Sequence, residues 1–120
     1  MKTLLHFSLL VVSLSLPIAE VRAQSQHEMN QQAYADFEKA DAALNKIYTQ
    51  VLAKLDAEGQ GKLRAAQRAW VTFRDAQAEV DADSERGGSA ASLFRARSLT
   101  GSTVRRTQDL KDLLKQVDDE

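Results

Sequence analysis

Residues 63–80 read LRAAQRAWVTFRDAQAEV, and the spacing of apolar side chains in this stretch decides the fold. Leu63, Ala66, Trp70, Phe73 and Val80 recur at helical intervals and share one face of a helix. Gln67 and Arg74 flank that stripe, with Trp70 between them. A helix that sets a large indole beside a guanidinium needs a neighbour supplying both an apolar pocket and a hydrogen-bond acceptor. That neighbour is expected upstream.

Upstream, residues 31–56 contain neither Gly nor Pro, and Ala33, Phe37, Ala40, Leu44, Ile47, Val51 and Leu55 alternate in steps of four and three. The pattern predicts one long amphipathic helix, with residues 24–30 frayed before it. Between the two helical patterns lies DAEGQG at 56–61, whose paired glycines weaken a helix while Asp56 can cap the next one. So short a connection turns the chain back on itself. The second helix is expected from about Gly61 to about Asp83. Asp41 and Asn45, at i and i+4, then come level with Arg74 and offer the acceptors it needs.

Downstream, SERGGS at 84–89 is a second break, and Ser89 is placed to cap a third helix through Leu93, Phe94 and Leu99. Thr100, Gly101, Ser102 and Thr103 are expected to kink or end that helix, with the pattern resuming through Val104, Thr107, Leu110, Leu114 and Val117. Three acidic residues close the chain at 118–120, where they oppose a helix dipole and are expected to be disordered. The predicted fold is all-α: a long antiparallel helical hairpin with a third, kinked or broken C-terminal helix packed along it.

The chain has 120 residues, enough for one small domain. Its first 23 residues have the organisation of an export signal: Lys2, an apolar run from Leu4 to Leu16, Pro17, and small residues at Val21 and Ala23 around Arg22. The run is short for a membrane span. Cleavage after Ala23 leaves residues 24–120 as a single helical domain in the periplasm or outside the cell, with no stable membrane insertion. Losing Lys2, Arg22 and Glu20 takes the formal charge from −1 to −2. With no clustered basic face, nucleic acid is not an expected partner. The chain has no cysteine, so helix packing alone must stabilise a small domain.

Five pieces of sequence, in order, resemble the LprI-type domain, a family of small exported bacterial proteins. They are Glu28-Met29-Asn30; Asp41, Leu44, Asn45 and Tyr48; Leu63, Gln67, Arg68, Ala69, Trp70, Arg74 and Asp75; Gly87-Gly88-Ser89; and Thr103, Arg106 and Leu110. The resemblance spans nearly the whole of residues 24–120 and implies a helical, exported protein related to an inhibitor of lysozyme. Gln32, Ala78 and Ser98 stand where members usually carry Cys. By that resemblance, Ala78 and Ser98 are a bridge lost together, which bears on how firmly the glycine loop is held.

Asp41, Asn45, Tyr48, Gln67, Trp70, Arg74, Asp75, Thr103 and Arg106 read as a structural set. Arg74 is expected to clamp the two helices through Asp41 and Asn45. Trp70, Phe73, Phe37 and Tyr48 are expected in the core, and Asp75 in solvent. Arg106 either clamps or forms a basic edge with Arg105. No residues form a nucleophile, base and acid set, and the protein is not expected to be an enzyme. His27 and Glu28 are too few to hold a metal, so neither metal nor cofactor is expected. The loop at 84–90 remains as a partner-binding candidate through Glu85, Arg86, Gly87, Gly88 and Ser89. The resemblance makes a lysozyme the expected partner. The alternative is a structural or interaction module of the cell envelope, with another envelope protein or a second copy as partner.

Overall fold

The structure, a computed structural model, describes residues 17–119. Most of the expected export signal, residues 1–16, and the terminal Glu120 lie outside the described residues. The described chain forms three helices: α1 (Ile18–Lys54), α2 (Ala57–Ala82) and α3 (Ala91–Asp118), with a short 3-10 turn at Asp83–Glu85. The expected all-α architecture is present.

α1 begins earlier than the periodicity suggested. Its assigned helix reaches back to Ile18, so residues 24–30 are helical rather than frayed. Asn30 has a specific role there: its Nδ2 donates to the Ser89 carbonyl at 3.2 Å. Residues 18–25 are all exposed. They extend α1 beyond the level of that contact.

The first turn is tighter than expected. α2 starts at Ala57, so Gly59 and Gly61 fall inside its opening turns and only Leu55 and Asp56 connect the helices. The physical reason is a dense set of caps. The Asp56 carboxylate accepts from the Gly59 backbone N–H at 2.8 Å, satisfying one of the free donors at the helix start. The Gln60 Nε2 reaches back to the carbonyls of Leu52 at 2.9 Å and Leu55 at 3.2 Å, closing groups left open at the end of α1. A Cβ at position 59 would stand 3.2 Å from the Asp56 Oδ1 and 3.3 Å from the Leu55 Cβ. Glycine permits that close approach.

The third helix is not interrupted. α3 runs as one element through Thr100, Gly101, Ser102 and Thr103. The reason is burial. Ser102 and Thr103 face inward, while the hydroxyls of Thr100 and Thr107 donate to the carbonyls of Ala96 and Thr103 within the helix, each at 2.9 Å. A mid-helix glycine costs about 1 kcal/mol relative to alanine, and burial of the flanking face outweighs that. Ser89 does not cap α3. The cap position is Ala90, which makes no side-chain capping bond. The last turn is held by the Lys54 Nζ, 2.8 Å from the Asp118 carboxylate, so Asp118 belongs to the helix.

The Asn30–Ser89 and Lys54–Asp118 contacts lie at opposite ends of α1 and α3 and make those two helices parallel. α2 runs antiparallel to both, with Arg74 opposite Asp41. α3 packs along α1 and also against α2, whereas α1 and α2 touch each other little. The hairpin is therefore antiparallel in direction, and α3 packs against both of its arms.

The main core lies toward the α1–α2 turn and comprises Leu44, Ile47, Val51, Leu63 and Leu110, with Tyr48 and Trp70 against it. A smaller core of Ala33, Leu93 and Ala96 lies toward the other end. The α1 seam read from sequence is the one observed. The α2 seam is rotated. Its inward positions are Leu63, Arg74, Ala78 and Ala82, whereas Ala66 is exposed, Phe73 is 61% exposed and Val80 66% exposed. From Trp70 a step of three leads to Phe73 and a step of four leads to Arg74; the chain packs the four-step row. Small Ala78 and Ala82 on that row suit close approach to α3.

Candidate functional site

Between the two cores α1 and α2 are joined by a polar and aromatic layer. Arg74 of α2, only 8% exposed, is its centre. Its guanidinium carbon lies 5.3 Å from the Phe37 ring centre and 5.1 Å from that of Trp70. These are cation–π distances. Its Nη1 is 3.5 Å from the Asp41 Oδ1, and its Nε donates to the Asp75 Oδ1 at 2.8 Å. Trp70 is half-buried, and a second arginine, Arg106 of α3, lies 5.9 Å from its ring centre. Arg106 also donates from Nε to the Gln67 Oε1 at 3.0 Å.

The layer holds most of the expected structural set, with one correction. Asn45 is not a partner of Arg74; its Nδ2 donates to the Asp41 Oδ2 at 3.4 Å, so it steadies the acceptor from behind. Asp75 reaches solvent, as expected. Its side chain is exposed but occupied by Arg74. Tyr48 is half-buried beside the main core. Thr103 is fully buried, and its hydroxyl finds no hydrogen-bond partner.

The second candidate region, 83–90, is a tightly turned link. Gly87 has φ +78, a left-handed conformation that glycine adopts without a Cβ clash. The Gly88 N–H donates to the Glu85 carbonyl at 2.9 Å, and the Arg86 N–H to the Asp83 carbonyl at 3.1 Å. Arg86 projects outward, its side chain 79% exposed. Its guanidinium is held by Asp83, with Nε and Nη2 donating to the carboxylate at 2.6 to 2.9 Å. Glu85 is half-buried, Gly88 and Ser89 are exposed, and the Ser89 carbonyl is the group anchored by Asn30.

Asp83 and Asn30 are the partners that sequence reading missed. Asp83 stands three residues before Arg86, the spacing of a local ion pair, so a signal was present. Asn30 belongs to the first of the five resembling pieces, but nothing local marks its bond to Ser89, which lies far along the chain.

Beside this loop, α2 and α3 exchange polar contacts on the surface. Arg95 grips the Glu79 carboxylate through Nε at 2.6 Å and Nη2 at 2.9 Å, which lowers the Glu79 pKa from its ordinary value chiefly by hydrogen bonding. The Ser98 hydroxyl donates to Asp81 at 2.5 Å, and that bond, helped by Gln77, holds the Asp81 carboxyl down. Ala78 is buried on α2 and Ser98 sits on α3 opposite the next turn of α2. Gln32 lies on the surface of α1, bonded to Asp36.

Among the described residues no three His, Cys, Asp or Glu side chains group as metal ligands, and no helix is long and apolar enough to cross a membrane. The geometry defines a small three-helix protein whose distinctive side chains join helices or present a built loop.

The chain belongs to the lysozyme inhibitor LprI family, whose match covers residues 19–110. It is also similar to an uncharacterized protein of Rhizobium meliloti (strain 1021), at 36% identity over 110 residues covering 81% of this chain and 79% of that protein. No solved structure matches it.

Proposed function

We propose that this protein is an exported envelope protein that inhibits a lysozyme by presenting the 84–90 loop to the enzyme's cleft. The observation that carries the reading, alongside family membership, is that Arg86 projects from a turned and anchored link. A lysozyme cleft is lined by two carboxylates, and a forked guanidinium is suited to a carboxylate partner. Arg86 would exchange Asp83 for a carboxylate of the enzyme. That exchange is cheap, because an exposed ion pair contributes only about 0–1 kcal/mol. Cleavage after Ala23 would shorten the exposed helical overhang beside the loop and ease its approach.

The test is a cell-wall lysis assay with purified residues 24–120. Lysis is expected to slow with added protein, and the Arg86→Ala variant is expected to slow it less. Undiminished lysis at large molar excess removes the inhibitor reading.

A second reading, an interaction module without lysozyme activity, draws on one observation. Phe73 and Val80 are both exposed, two turns apart on the outer side of α2, and apolar groups placed so can meet a partner. Stable self-association in gel filtration that Arg86→Ala leaves intact, together with no effect on lysis, would favour it.

A further inference from the structure

On the turn side of Arg74, α1 and α2 stand apart and leave an open groove of about 580 Å³. Its α2 wall carries Arg64 and Arg68, one helical turn apart and both exposed; its α1 wall carries Asp41, Asn45 and Tyr48. Leu44 and Val71 supply the apolar lining, and Thr72 of α2 also borders the space.

The charge in this groove is unbalanced. Asp41 is its one carboxylate, and Arg74 already stands against it. Arg64 reaches only the neutral Gln60 Oε1, at 3.4 Å. Arg68 forms no ion pair among the described residues; of the arginine ion pairs, that of Arg74 with Asp41 borders the groove, and those of Arg86 and Arg95 lie elsewhere. Two guanidiniums therefore face an opposite wall of amide, phenol and neutralised carboxylate. Five of the nine structural residues picked out from sequence, Asp41, Asn45, Tyr48, Gln67 and Arg74, border the same space. Arg74, Asp41 and Asn45 are used in joining the hairpin arms, whereas Tyr48, Arg64 and Arg68 border the groove without an ion pair of their own.

We propose that the groove binds a short glycan bearing a carboxylate. The carboxylate pairs with Arg64 and Arg68, whose planar donors fit it. Asn45, Asp41 and Thr72 exchange hydrogen bonds with ring hydroxyls or an acetamido group, and the Tyr48 ring offers an apolar face to a pyranose. An acidic peptide is the weaker fit. Peptides docked between helices rely on buried apolar anchors, and the lining offers two aliphatic side chains. This site is separate from the 84–90 loop and does not depend on that loop's engagement of lysozyme.

Calorimetric titration of residues 24–120 at low salt tests it with three probes. The first is a disaccharide of N-acetylglucosamine and N-acetylmuramic acid, which carries one carboxylate. The second is the same disaccharide with that group converted to an amide, and the third is hexaglutamate. The acid form is expected to bind at least about tenfold more tightly than the amide, the difference typical of a charge-assisted hydrogen bond. An Arg64→Gln/Arg68→Gln variant is expected to lose about the same factor, while Phe73→Ala, outside the groove, keeps full affinity. Both arginines are exposed, so the double variant folds, and its circular dichroism checks this. Equal binding of acid and amide, full affinity in the double variant, or no binding of the acid form would each overturn the proposal. Hexaglutamate binding as tightly as the acid disaccharide would overturn it in favour of a peptide.

Discussion

Arg74 of α2 brings its Nη1 to 3.5 Å from the Asp41 Oδ1 of α1, across a gap that little else spans. The aromatic rings of Phe37 and Trp70 lie against the same guanidinium and shield it from water. One side chain thus supplies charge pairing and packing volume where the two hydrophobic cores do not reach.

Removing that side chain should destabilise the fold. Arg74→Ala leaves Asp41 without its partner and strips cover from two rings, a loss of about 1–3 kcal/mol, short of the cost of breaking a buried ion pair because both carboxylates reach solvent. Arg74→Lys should resemble Ala more than the native residue, because an ammonium cannot pair with Asp41 and Asp75 while stacking on both rings. Urea unfolding followed by circular dichroism measures this. A change under about 0.5 kcal/mol for Arg74→Ala, the size of an ordinary surface substitution, would show that the layer is not the joint between the arms.

Thr103 predicts the opposite sign. Its hydroxyl is fully buried without a partner, and an unmade hydrogen bond of this kind costs about 1–3 kcal/mol. Thr103→Val replaces the hydroxyl with a methyl of similar size. The urea midpoint should rise at unchanged slope, by an amount equivalent to about 1 kcal/mol. A midpoint that falls would mean the hydroxyl is satisfied in solution.

The seam of α1 was readable because its buried positions, Ala33, Leu44, Ile47 and Val51, are all apolar and fall at helical spacing. On α2 the same reading chose Phe73 and Val80, and both are exposed. Hydropathy misleads there because, beyond Trp70, the buried positions are an arginine and two alanines, residues that a search for large apolar groups passes over. The Gly101 stretch misled for a related reason: small and hydroxylated residues signal a break locally, yet here two of them, Ser102 and Thr103, are buried within the helix bundle. Asp41 with Arg74 was legible, since a guanidinium on a packed helix requires an acceptor and the turn fixed which residues came level. That Arg106 would join Gln67 and Trp70 was not, because it depends on how α3 settles over both arms.

The surface contacts between α2 and α3 predict an acid dependence. Glu79 and Asp81 are both held below their ordinary pKa, by Arg95 and by Ser98 respectively. A carboxyl lowered in the folded state contributes its stability above its unfolded pKa, and that contribution is lost as pH falls through the folded value. The loss should therefore begin as pH drops past about 4, the usual carboxylate range, and grow below it. Both groups are exposed, so the effect is modest. Melting temperatures between neutral pH and pH 3 should fall less steeply in a Glu79→Gln/Asp81→Asn variant. Parallel curves for variant and native protein would remove these two groups as the cause.

Gly87 tests whether the shape of the 83–90 link matters as well as its charge. The residue has φ +78, and a Cβ there would meet nothing within 4 Å. Any penalty for a side chain is thus one of backbone conformation rather than collision. Alanine should cost about 1–2 kcal/mol of local strain. Asn should cost less, because it enters the left-handed region more readily, and Val more, because a β-branched residue there is a true outlier. Global stability should follow the order Gly, Asn, Ala, Val, unless the link opens locally to escape the strain. In that case the unfolding midpoint stays near the native value, and amide exchange speeds up around Gly88 and Ala91, whose N–H groups close the turn. Inhibition of lysis, if the loop enters the cleft as proposed, should weaken in the same order even while Arg86 is retained. Full inhibition by Gly87→Val would show that the loop's conformation is irrelevant to the contact and move the partner surface elsewhere.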